Sequence, residues 1–438
     1  MHGSSDPASP AELQEVLILR RTPIVLLAGS LLLVACSSAT DNDATSSTST
    51  SAPSSSAAET PALVTIDSDA MQRTLDETAE SLLVPGAMAI VETPSGTVRL
   101  SHGTTTLGAD VAPESTTQFR IGSVTKTMTA AVILQLVQEG KLALDDTVGS
   151  YVDGVPAGET ITIAQLLEMR SGLHNYLDTT AFATTFGADP THIWAPQELL
   201  DLGVAEPLSF EPGGGYDYSN TNTILLGILA EKIEGKSLSA LMDERLFDPL
   251  GMNHTSLPDA MTFGLPDPSS RGYQYGPLQV SDAPLTVDEQ SAAEAGTLAL
   301  NDVTEQSPSW SWAAGGVVST ADDLMIWIDA LNRGEVLDDA TQKRWSDSLQ
   351  VMHPEDPKAL YGYGIGQIRF GTVRLTYHEG QLPGFNTMAM NDAANDVSIV
   401  VWTNRAVDND RDIAFSVAAN LLGHIYRTPA DTPPAEGP

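Results

Sequence analysis

Ser123-Val124-Thr125-Lys126 is the stretch that decides the fold of this 438-residue chain. It places a serine one helical turn before a lysine, at the start of a run that predicts an amphipathic helix from Ser123 to Glu139. Side chains three positions apart lie on one face of a helix. A lysine amine beside a serine hydroxyl can keep the serine proton mobile, which turns the serine into a nucleophile. Because Ser-x-x-Lys also occurs by chance, the hypothesis depends on partners elsewhere in the chain.

Two such partners follow in order. Tyr218-Ser219-Asn220 comes after a loop that contains three consecutive glycines, and His378-Glu379-Gly380 closes a strand-like run, Val373 to Tyr377. The three motifs together resemble those of the serine β-lactamase and penicillin-binding-protein superfamily. The Tyr-x-Asn and His-x-Gly forms resemble the branch that holds class C β-lactamases, D-alanyl-D-alanine carboxypeptidases and related esterases. Further stretches resemble that branch in the same order: 119–123, 161–173, 246–252, 314–324, 361–364 and 383–385.

The resemblance implies a catalytic group of three residues. Ser123 would be the nucleophile and form an acyl-enzyme, helped by the positive end of the helix that it begins. Lys126 and Tyr218 are the two candidates for the base that takes the serine proton. Tyrosine ordinarily titrates near pH ~10, so Tyr218 would need a positive charge nearby, which Lys126 could supply. The sequence leaves open which of the two acts first, and they could titrate as a pair.

The resemblance also implies residues that bind the substrate. Asn220 would donate its side-chain amide to a substrate carbonyl, and His378 would face the cleft from an edge strand. Gly380 would let the substrate approach the backbone closely. The backbone N–H groups of Ser123 and Gln381 would form the oxyanion hole.

Glu379 departs from the pattern, because the family often has Thr or Ser at that position. A carboxylate there would repel a substrate carboxylate unless it were protonated or turned away. The residue therefore weakens the case for a D-Ala-D-Ala terminus and for classical β-lactam substrates. Recognition of a substrate charge would rest on His378, or on an arginine elsewhere such as Arg271 or Arg405.

The N-terminal part predicts export. Residues 1–35 have the pattern of a lipoprotein-type signal peptide, with Arg20 and Arg21 before a short apolar run. Leu33-Val34-Ala35-Cys36 resembles a bacterial lipobox, so Cys36, the single cysteine, is the predicted lipidation site. Residues 36–61 predict a Ser/Thr-rich disordered tether. We therefore expect an extracytoplasmic protein, lipid-anchored to the bacterial cell membrane or secreted.

The composition limits the kinds of partner and cofactor that the protein can bind. A net charge of −36 excludes a general basic surface for nucleic acid. The histidines are scattered, with no metal-binding spacing, so neither a metal nor a cofactor is expected.

Strand patterns near both ends of the chain, with helical patterns between them, predict an α+β fold. The resemblance implies the same β-lactamase/transpeptidase-like arrangement: an antiparallel sheet flanked by helices, a mostly helical lobe, and the active site between them. The catalytic domain is predicted at 62–427, and a disordered tail at 428–438.

Four functions remain in order of preference at this point. The first is a serine hydrolase of the D-alanyl-D-alanine carboxypeptidase type, which would act on cell-wall peptides such as the peptidoglycan stem peptide. An esterase or amidase on the same scaffold comes next, favoured by Glu379, and a β-lactamase third. A non-catalytic surface lipoprotein is the alternative outside enzymes. The substrate would thus be a small peptide, ester or β-lactam, and the oligomeric state stays open.

Overall fold

The computed structural model describes residues 63–276, 285–408 and 411–426, so Cys36, the tether and the tail lie outside the described residues. Short 3₁₀ turns lie at Gly122–Val124, Val148–Ser150 and Tyr176–Asp178, and a π-turn lies at Asp243–Phe247. The helices are α1 (Ser68–Ser81), α2 (Thr125–Gln138), α3 (Ile163–Leu167), α4 (Thr180–Ala188), α5 (Pro196–Val204), α6 (Asn220–Glu234), α7 (Leu238–Met242), α8 (Asp248–Leu250), α9 (Val287–Glu294), α10 (Trp312–Gly315), α11 (Ala321–Arg333), α12 (Asp339–Asp347) and α13 (Ile413–Leu422). None of the described helices has the length and apolar character needed to cross a bilayer.

One large antiparallel sheet is built from both ends of the chain. The strands are β1 (Gly86–Thr93), β2 (Gly96–Gly103), β3 (Phe119–Arg120), β4 (Tyr273–Gln274), β5 (Asn301–Asp302), β6 (Val318–Ser319), β7 (Gln350–His353), β8 (Asp356–Tyr361), β9 (Gly366–Phe370), β10 (Val373–Leu382), β11 (Phe385–Asp392), β12 (Val397–Thr403), β13 (Val407–Asp408) and β14 (Arg411–Asp412). Eight of them pair in the order β2-β1-β12-β11-β10-β9-β8-β7. The β1 strand pairs with β12, so the N-terminal hairpin joins the C-terminal strands directly. The predicted α+β arrangement is confirmed.

Each face of this sheet carries its own core. Alternation along β12 turns Ile399 and Val401 toward the terminal helices α1 and α13, and turns Val400 and Trp402 toward the helical lobe. On the lobe side, the Trp402 ring stacks on Phe119 at a centroid distance of 4.7 Å. The sheet is therefore buried on both faces, which explains why its central strands β11 and β12 consist of buried residues only.

The helix after Ser123 differs from the prediction. The sequence predicts an amphipathic helix, but α2 is buried along its length from Thr125 to Leu136 rather than on one face. It packs against α6, α7 and α10 in the middle of the lobe. A helix that is apolar on most sides is buried on most sides, and its threonines find internal acceptors: Thr127 Oγ1 donates to the Val124 carbonyl at 2.7 Å and Thr129 Oγ1 to the Ala313 carbonyl at 2.7 Å.

Two other parts of the fold differ from what the sequence predicts. The segment 276–309 has six acidic residues and no basic ones, a composition that predicts a long surface loop. In its described part it instead contains α9 and buried residues at 303–304 and 306–309. The strands β7, β8 and β9 were not foreseen, because their residues alternate weakly and include several charged positions. These strands extend the sheet beyond β10 and form one side of the cleft.

The sheet and the lobe meet at a close backbone contact beside Ser123. Gly380 of β10 lies against the turn that contains the serine, and a β-carbon built on it would be 1.9 Å from the Ile121 carbonyl oxygen. The reciprocal position is equally tight, since a β-carbon on Gly122 would lie 2.6 Å from the Gln381 nitrogen. Both positions must be glycine for the two backbones to touch. Gly122 also has a positive φ of 53°, which other residues adopt rarely.

We therefore expect Gly380→Ala to destabilise the protein. The added methyl group meets backbone atoms that cannot rotate away, so the free energy of unfolding should fall by about 3 kcal/mol, at the upper end of overpacking effects. Urea denaturation measures the difference. Gly187→Ala in α4 is the matched control: a β-carbon there has no neighbour within 4 Å, and stability should be unchanged or rise by up to about 1 kcal/mol. Equal stability of the two variants would show that the contact is not tight.

Candidate active site

Ser123 lies in the 3₁₀ turn Gly122–Val124, directly before α2, at the junction of lobe and sheet. Its side chain is partly exposed, whereas both of its sequence neighbours are buried. The serine is thus presented to the cleft by a turn that the fold holds firmly. This is the placement that the sequence predicts for a nucleophile, although a short 3₁₀ turn, rather than the α-helix itself, carries the residue.

Lys126 is enclosed by oxygen atoms. The side chain is 1% exposed. Its Nζ lies 2.9 Å from Ser123 Oγ, 2.7 Å from Asn220 Oδ1 and 2.7 Å from the Ala314 carbonyl oxygen. Burial lowers the pKa of Lys126 well below its ordinary value, and the negative charge of Glu379 opposes that shift. The neutral amine is therefore accessible to this lysine under conditions in which an exposed lysine would be charged.

The three oxygen atoms around Lys126 Nζ differ in their ability to donate a hydrogen bond. The oxygens of Asn220 and Ala314 are carbonyl oxygens, which can only accept hydrogen bonds, whereas the Ser123 hydroxyl can donate or accept. A neutral amine has two N–H bonds and one lone pair. If the two carbonyl oxygens take the two N–H bonds, the lone pair faces the serine hydroxyl at hydrogen-bond distance. The arrangement can therefore remove the serine proton without any movement of the lysine.

Tyr218 lies on the open side of this group. The centre of its ring is 4.9 Å from Lys126 Nζ, so a charged amine here would be stabilised by the ring face. Its ring also contacts Tyr361 and His378, with centroid distances of 6.1 Å and 6.4 Å. The Tyr218 ring thus lies beside Lys126. The direct contact between Lys126 Nζ and Ser123 Oγ favours the lysine as the first base.

Asn220 makes two side-chain contacts within the protein. Its Oδ1 accepts from Lys126, and its Nδ2 donates to Asn175 Oδ1 at 3.2 Å, while donation to a substrate carbonyl stays a prediction. Asn175 also accepts from the backbone N–H of Asn220 at 3.1 Å and so fixes the orientation of the amide. One N–H of Nδ2 can still serve a substrate. Sequence reasoning missed Asn175, since it lies just beyond the stretch 161–173 that resembles the family.

His378 lies at a position where β10 changes from an inner strand to an exposed edge. Pairing with β9 ends at Tyr377, which faces Gly366, while pairing with β11 continues to Leu382. The predicted edge position is therefore correct for residues 378–382 and wrong for the rest of the strand. The His378 ring is 3% exposed, so it is a buried part of the cleft wall.

A hydrogen bond of His378 shows which ring nitrogen carries a proton. Nδ1 lies 2.7 Å from the Glu379 carbonyl oxygen, which can only accept, so Nδ1 carries a proton. In the neutral ring, Nε2 then accepts from the Tyr361 hydroxyl at 3.1 Å. Tyr361 is a site residue that sequence reasoning missed, although it begins the stretch 361–364 that resembles the family.

The backbone around the predicted oxyanion hole is held in place by the same close contact. The Ser123 nitrogen lies 3.2 Å from the position of a β-carbon on Gly380, and the Gln381 nitrogen lies next to Gly122. The Gly380 carbonyl accepts from Asn386 Nδ2 at 3.0 Å, which fixes the peptide that leads to Gln381. The lack of a side chain at Gly380 admits the backbone of the nucleophile turn. The close approach of a substrate to Gly380 stays a prediction.

The two arginines considered for charge recognition are engaged elsewhere. Arg271 forms an ion pair with Asp302. Arg405 is 2% exposed, donates to the Leu82 carbonyl and lies over the Tyr275 ring. Neither of these contacts involves the group around Ser123. Within the described residues, no cluster of His, Cys, Asp and Glu has the size needed to hold a metal ion.

We expect Lys126→Ala to slow acylation of Ser123 by about 10²–10⁴-fold, the usual contribution of a general base. Lys126→Arg should not restore the rate, because a guanidinium stays protonated. Because burial lowers the pKa of Lys126, the rate should rise with pH over a range well below that of an exposed lysine, as the amine loses its proton. Burst release of p-nitrophenol from a p-nitrophenyl ester measures acylation.

Lys141→Ala is the control, since Lys141 forms surface ion pairs with Glu139 and Glu234 at the other end of α2. Its rate and pH profile should match those of the unmodified protein. A Lys126→Ala variant with an unchanged burst rate would remove Lys126 from the mechanism and leave Tyr218 as the base.

Known proteins share this architecture along most of the chain. A D-aminopeptidase of Brucella canis is 29% identical over 341 residues, which cover 77% of this chain and 59% of the relative. The chain therefore spans about three fifths of the length of the curated relatives it matches. A solved D-stereospecific amidohydrolase from Streptomyces sp. is 27% identical with a TM-score of 0.70, covering 82% of this chain and 98% of that one.

A second solved structure is a D-amino acid amidase from Ochrobactrum anthropi SV3 in complex with D-phenylalanine. It is 25% identical with a TM-score of 0.69 and covers 81% of this chain and 97% of that one. The family model described as Beta-lactamase matches residues 71–424, a range that includes Ser123, Lys126, Tyr218 and His378. The chain belongs to the beta-lactamase family of serine hydrolases, within the superfamily of serine β-lactamases and penicillin-binding proteins.

Proposed function

We propose that this protein is an extracytoplasmic amidase or aminopeptidase that hydrolyses amide bonds of D-amino-acid derivatives through an acyl-enzyme on Ser123. The observation that carries the proposal is the buried Lys126 amine, in hydrogen-bond contact with Ser123 Oγ and two carbonyl oxygens. This geometry supports acyl transfer. The names of the relatives, which include D-aminopeptidase and D-amino acid amidase, support the choice of an amide with a D-configured acyl group.

The reaction follows from the positions of the side chains. Ser123 Oγ attacks the substrate carbonyl carbon while its proton passes to Lys126 Nζ, and the negative charge on the carbonyl oxygen is stabilised by the N–H groups of Ser123 and Gln381. The proton then passes to the leaving nitrogen, directly from Lys126 or through Tyr218, and the carbon–nitrogen bond breaks. Water attacks the resulting ester with the same groups in the reverse order, which releases the acid and restores Ser123.

The carboxypeptidase form of this chemistry is the runner-up. A D-alanyl-D-alanine carboxypeptidase must bind the terminal carboxylate of a peptide, and the two arginines considered for that role form contacts elsewhere, Arg271 with Asp302 and Arg405 with the Leu82 carbonyl. Glu379 adds a negative charge instead. These features favour the amidase, which the sequence had ranked second, over the carboxypeptidase and the β-lactamase.

The location stays a proposal as well. We propose that Cys36 carries a lipid after removal of residues 1–35, and that residues 36–61 tether the catalytic domain to the outer face of the membrane. The charge of −36 supports this idea, because so acidic a chain would be repelled by anionic headgroups without a covalent anchor.

The test is hydrolysis of D-phenylalaninamide and L-phenylalaninamide by the purified chain, measured as release of ammonia. We expect turnover of the D-amide, little turnover of the L-amide, and a loss of at least about a thousandfold in Ser123→Ala. Intact-mass spectrometry with a fluorescent penicillin runs beside it. A stable penicillin adduct without amide hydrolysis would favour the carboxypeptidase instead, and hydrolysis of p-nitrophenyl esters alone would favour an esterase. No reaction in any assay would favour a binding protein.

A further inference from the structure

Asp178 carries an exposed carboxylate that is connected to Lys126 through two side-chain amides. Asp178 Oδ2 accepts from Asn175 Nδ2 at 3.1 Å. Asn175 Oδ1 accepts from Asn220 Nδ2 at 3.2 Å, and Asn220 Oδ1 accepts from Lys126 Nζ at 2.7 Å. This chain of three hydrogen bonds leads from the surface of the lobe to the buried amine beside Ser123.

We propose that Asp178 and Asn175 are positioning residues that fix which end of the Asn220 amide faces the buried lysine amine. The inference rests on the acyl-enzyme chemistry of the proposed function, because it needs Lys126 as the base. It does not depend on which amide, ester or peptide supplies the acyl group.

Each hydrogen bond in the chain has a fixed direction. An ionised carboxylate only accepts hydrogen bonds, so Asn175 must present its Nδ2 to Asp178 and its Oδ1 to Asn220. Asn220 must then present its Nδ2 to Asn175, which leaves its Oδ1 for Lys126. The carboxylate at one end of the chain therefore determines which atom of the second amide meets the lysine.

A reversed Asn220 amide would disable the base. Its Nδ2 would donate to Lys126 Nζ and occupy the lone pair of the neutral amine, which must take the proton of Ser123. Its Oδ1 would meet Asn175 Oδ1, so that two acceptors would face each other without a hydrogen between them. The hydrogen bonds that connect Asp178 to Asn220 exclude this arrangement.

The backbone on both sides of Asn175 is attached to the start of α6. Thr221 Oγ1, in the first turn of α6, donates to the His174 carbonyl at 2.6 Å and accepts from the Tyr176 backbone N–H at 3.1 Å. The backbone N–H of Asn220, for which the helix has no carbonyl of its own, donates to Asn175 Oδ1 at 3.1 Å. Asn175 is therefore held against the residue that it orients.

Asp178 reaches Asn175 because the 3₁₀ turn Tyr176–Asp178 lies between them. The backbone N–H of Asp178 donates to the Asn175 carbonyl at 3.0 Å, which closes the turn and brings the two side chains together. Hydrogen bonds between such neighbours also stabilise turns that have no catalytic role. An effect on Lys126 must therefore be separated from an effect on the stability of the turn.

The test exchanges the two ends of the bond between Asn175 and Asp178. Asn175→Asp alone places two carboxylates at a contact of 3.1 Å, and it should lower the rate constant of the p-nitrophenol burst with p-nitrophenyl acetate by about tenfold. The double variant Asn175→Asp, Asp178→Asn restores one donor and one acceptor at the original net charge, and it should recover most of that loss. The rates are compared on the plateau of the pH profile, where Lys126 is neutral.

A second variant separates positioning from substrate binding and from folding. Asn175→Ala should lower the burst rate constant by about tenfold and leave the ester concentration at half-saturation unchanged, because the change acts on the base and not on binding. Thermal unfolding of each variant measures whether the turn has lost stability.

Asp201→Asn is the matched control. Asp201 is exposed and accepts from Gln197 Nε2 at 2.8 Å on α5, so the substitution removes the same charge and a similar hydrogen bond. Its burst rate constant should equal that of the unmodified protein. A loss as large as that of Asn175→Asp would assign the effect to charge and overturn the inference.

The other outcomes separate this inference from the proposed function. An unchanged burst in Asn175→Ala, a double variant no faster than Asn175→Asp, or a rate that falls only with thermal stability would overturn the inference and leave the proposed function in place. Neither a burst nor amide hydrolysis by the unmodified protein would overturn both. A burst without hydrolysis of D-phenylalaninamide would remove the amidase, and the variants would still decide the inference, because the burst measures acylation of Ser123.

Discussion

The backbone contact between β10 and the turn that carries Ser123 is the constraint on which the rest of the site depends. Two glycines, Gly122 and Gly380, let the peptide of one element touch the peptide of the other. This contact brings Gly380 close to the Ser123 nitrogen and Gly122 close to the Gln381 nitrogen. It also joins the two halves of the fold, because β10 belongs to the sheet and the turn leads into the buried helix α2. A side chain at either glycine would separate the sheet from the lobe at the reacting atoms.

Burial of Lys126 is the second physical condition. Since α2 passes through the middle of the lobe, the lysine near its first turn has little contact with solvent and must find all its partners inside the protein. Two carbonyl oxygens and one hydroxyl meet that need. Desolvation disfavours the charged amine, and the carbonyl oxygens orient the neutral one. Burial of the Lys126 amine lowers the stability of the fold, and it also produces a neutral base next to Ser123. Asn175 contributes by holding the Asn220 amide in position.

The charges near the cleft bear on the proposed function. Glu379 adds an acidic residue to the strand of the His-x-Gly motif, and the two arginines considered for charge recognition, Arg271 and Arg405, form contacts elsewhere. A peptide with a terminal carboxylate would therefore meet a negative charge on this strand, which is why we propose an amidase in preference to a carboxypeptidase.

The sequence by itself determined the family and the fold class. Ser-x-x-Lys, Tyr-x-Asn and His-x-Gly are local patterns, and the strands at both ends of the chain are strongly apolar, so their types could be predicted without coordinates. Only the tertiary structure decided what depends on neighbours distant in sequence. Whether α2 is a surface or a buried helix depends on what packs around it. The weakly patterned strands β7 to β9 exist because β10 offers them an edge. Asn175 belongs to the site through its contact with Asn220, and Tyr361 through its contact with His378. Gly380 accommodates the protein's own backbone. None of these could be predicted, because contacts between residues far apart in sequence leave no local pattern in the sequence.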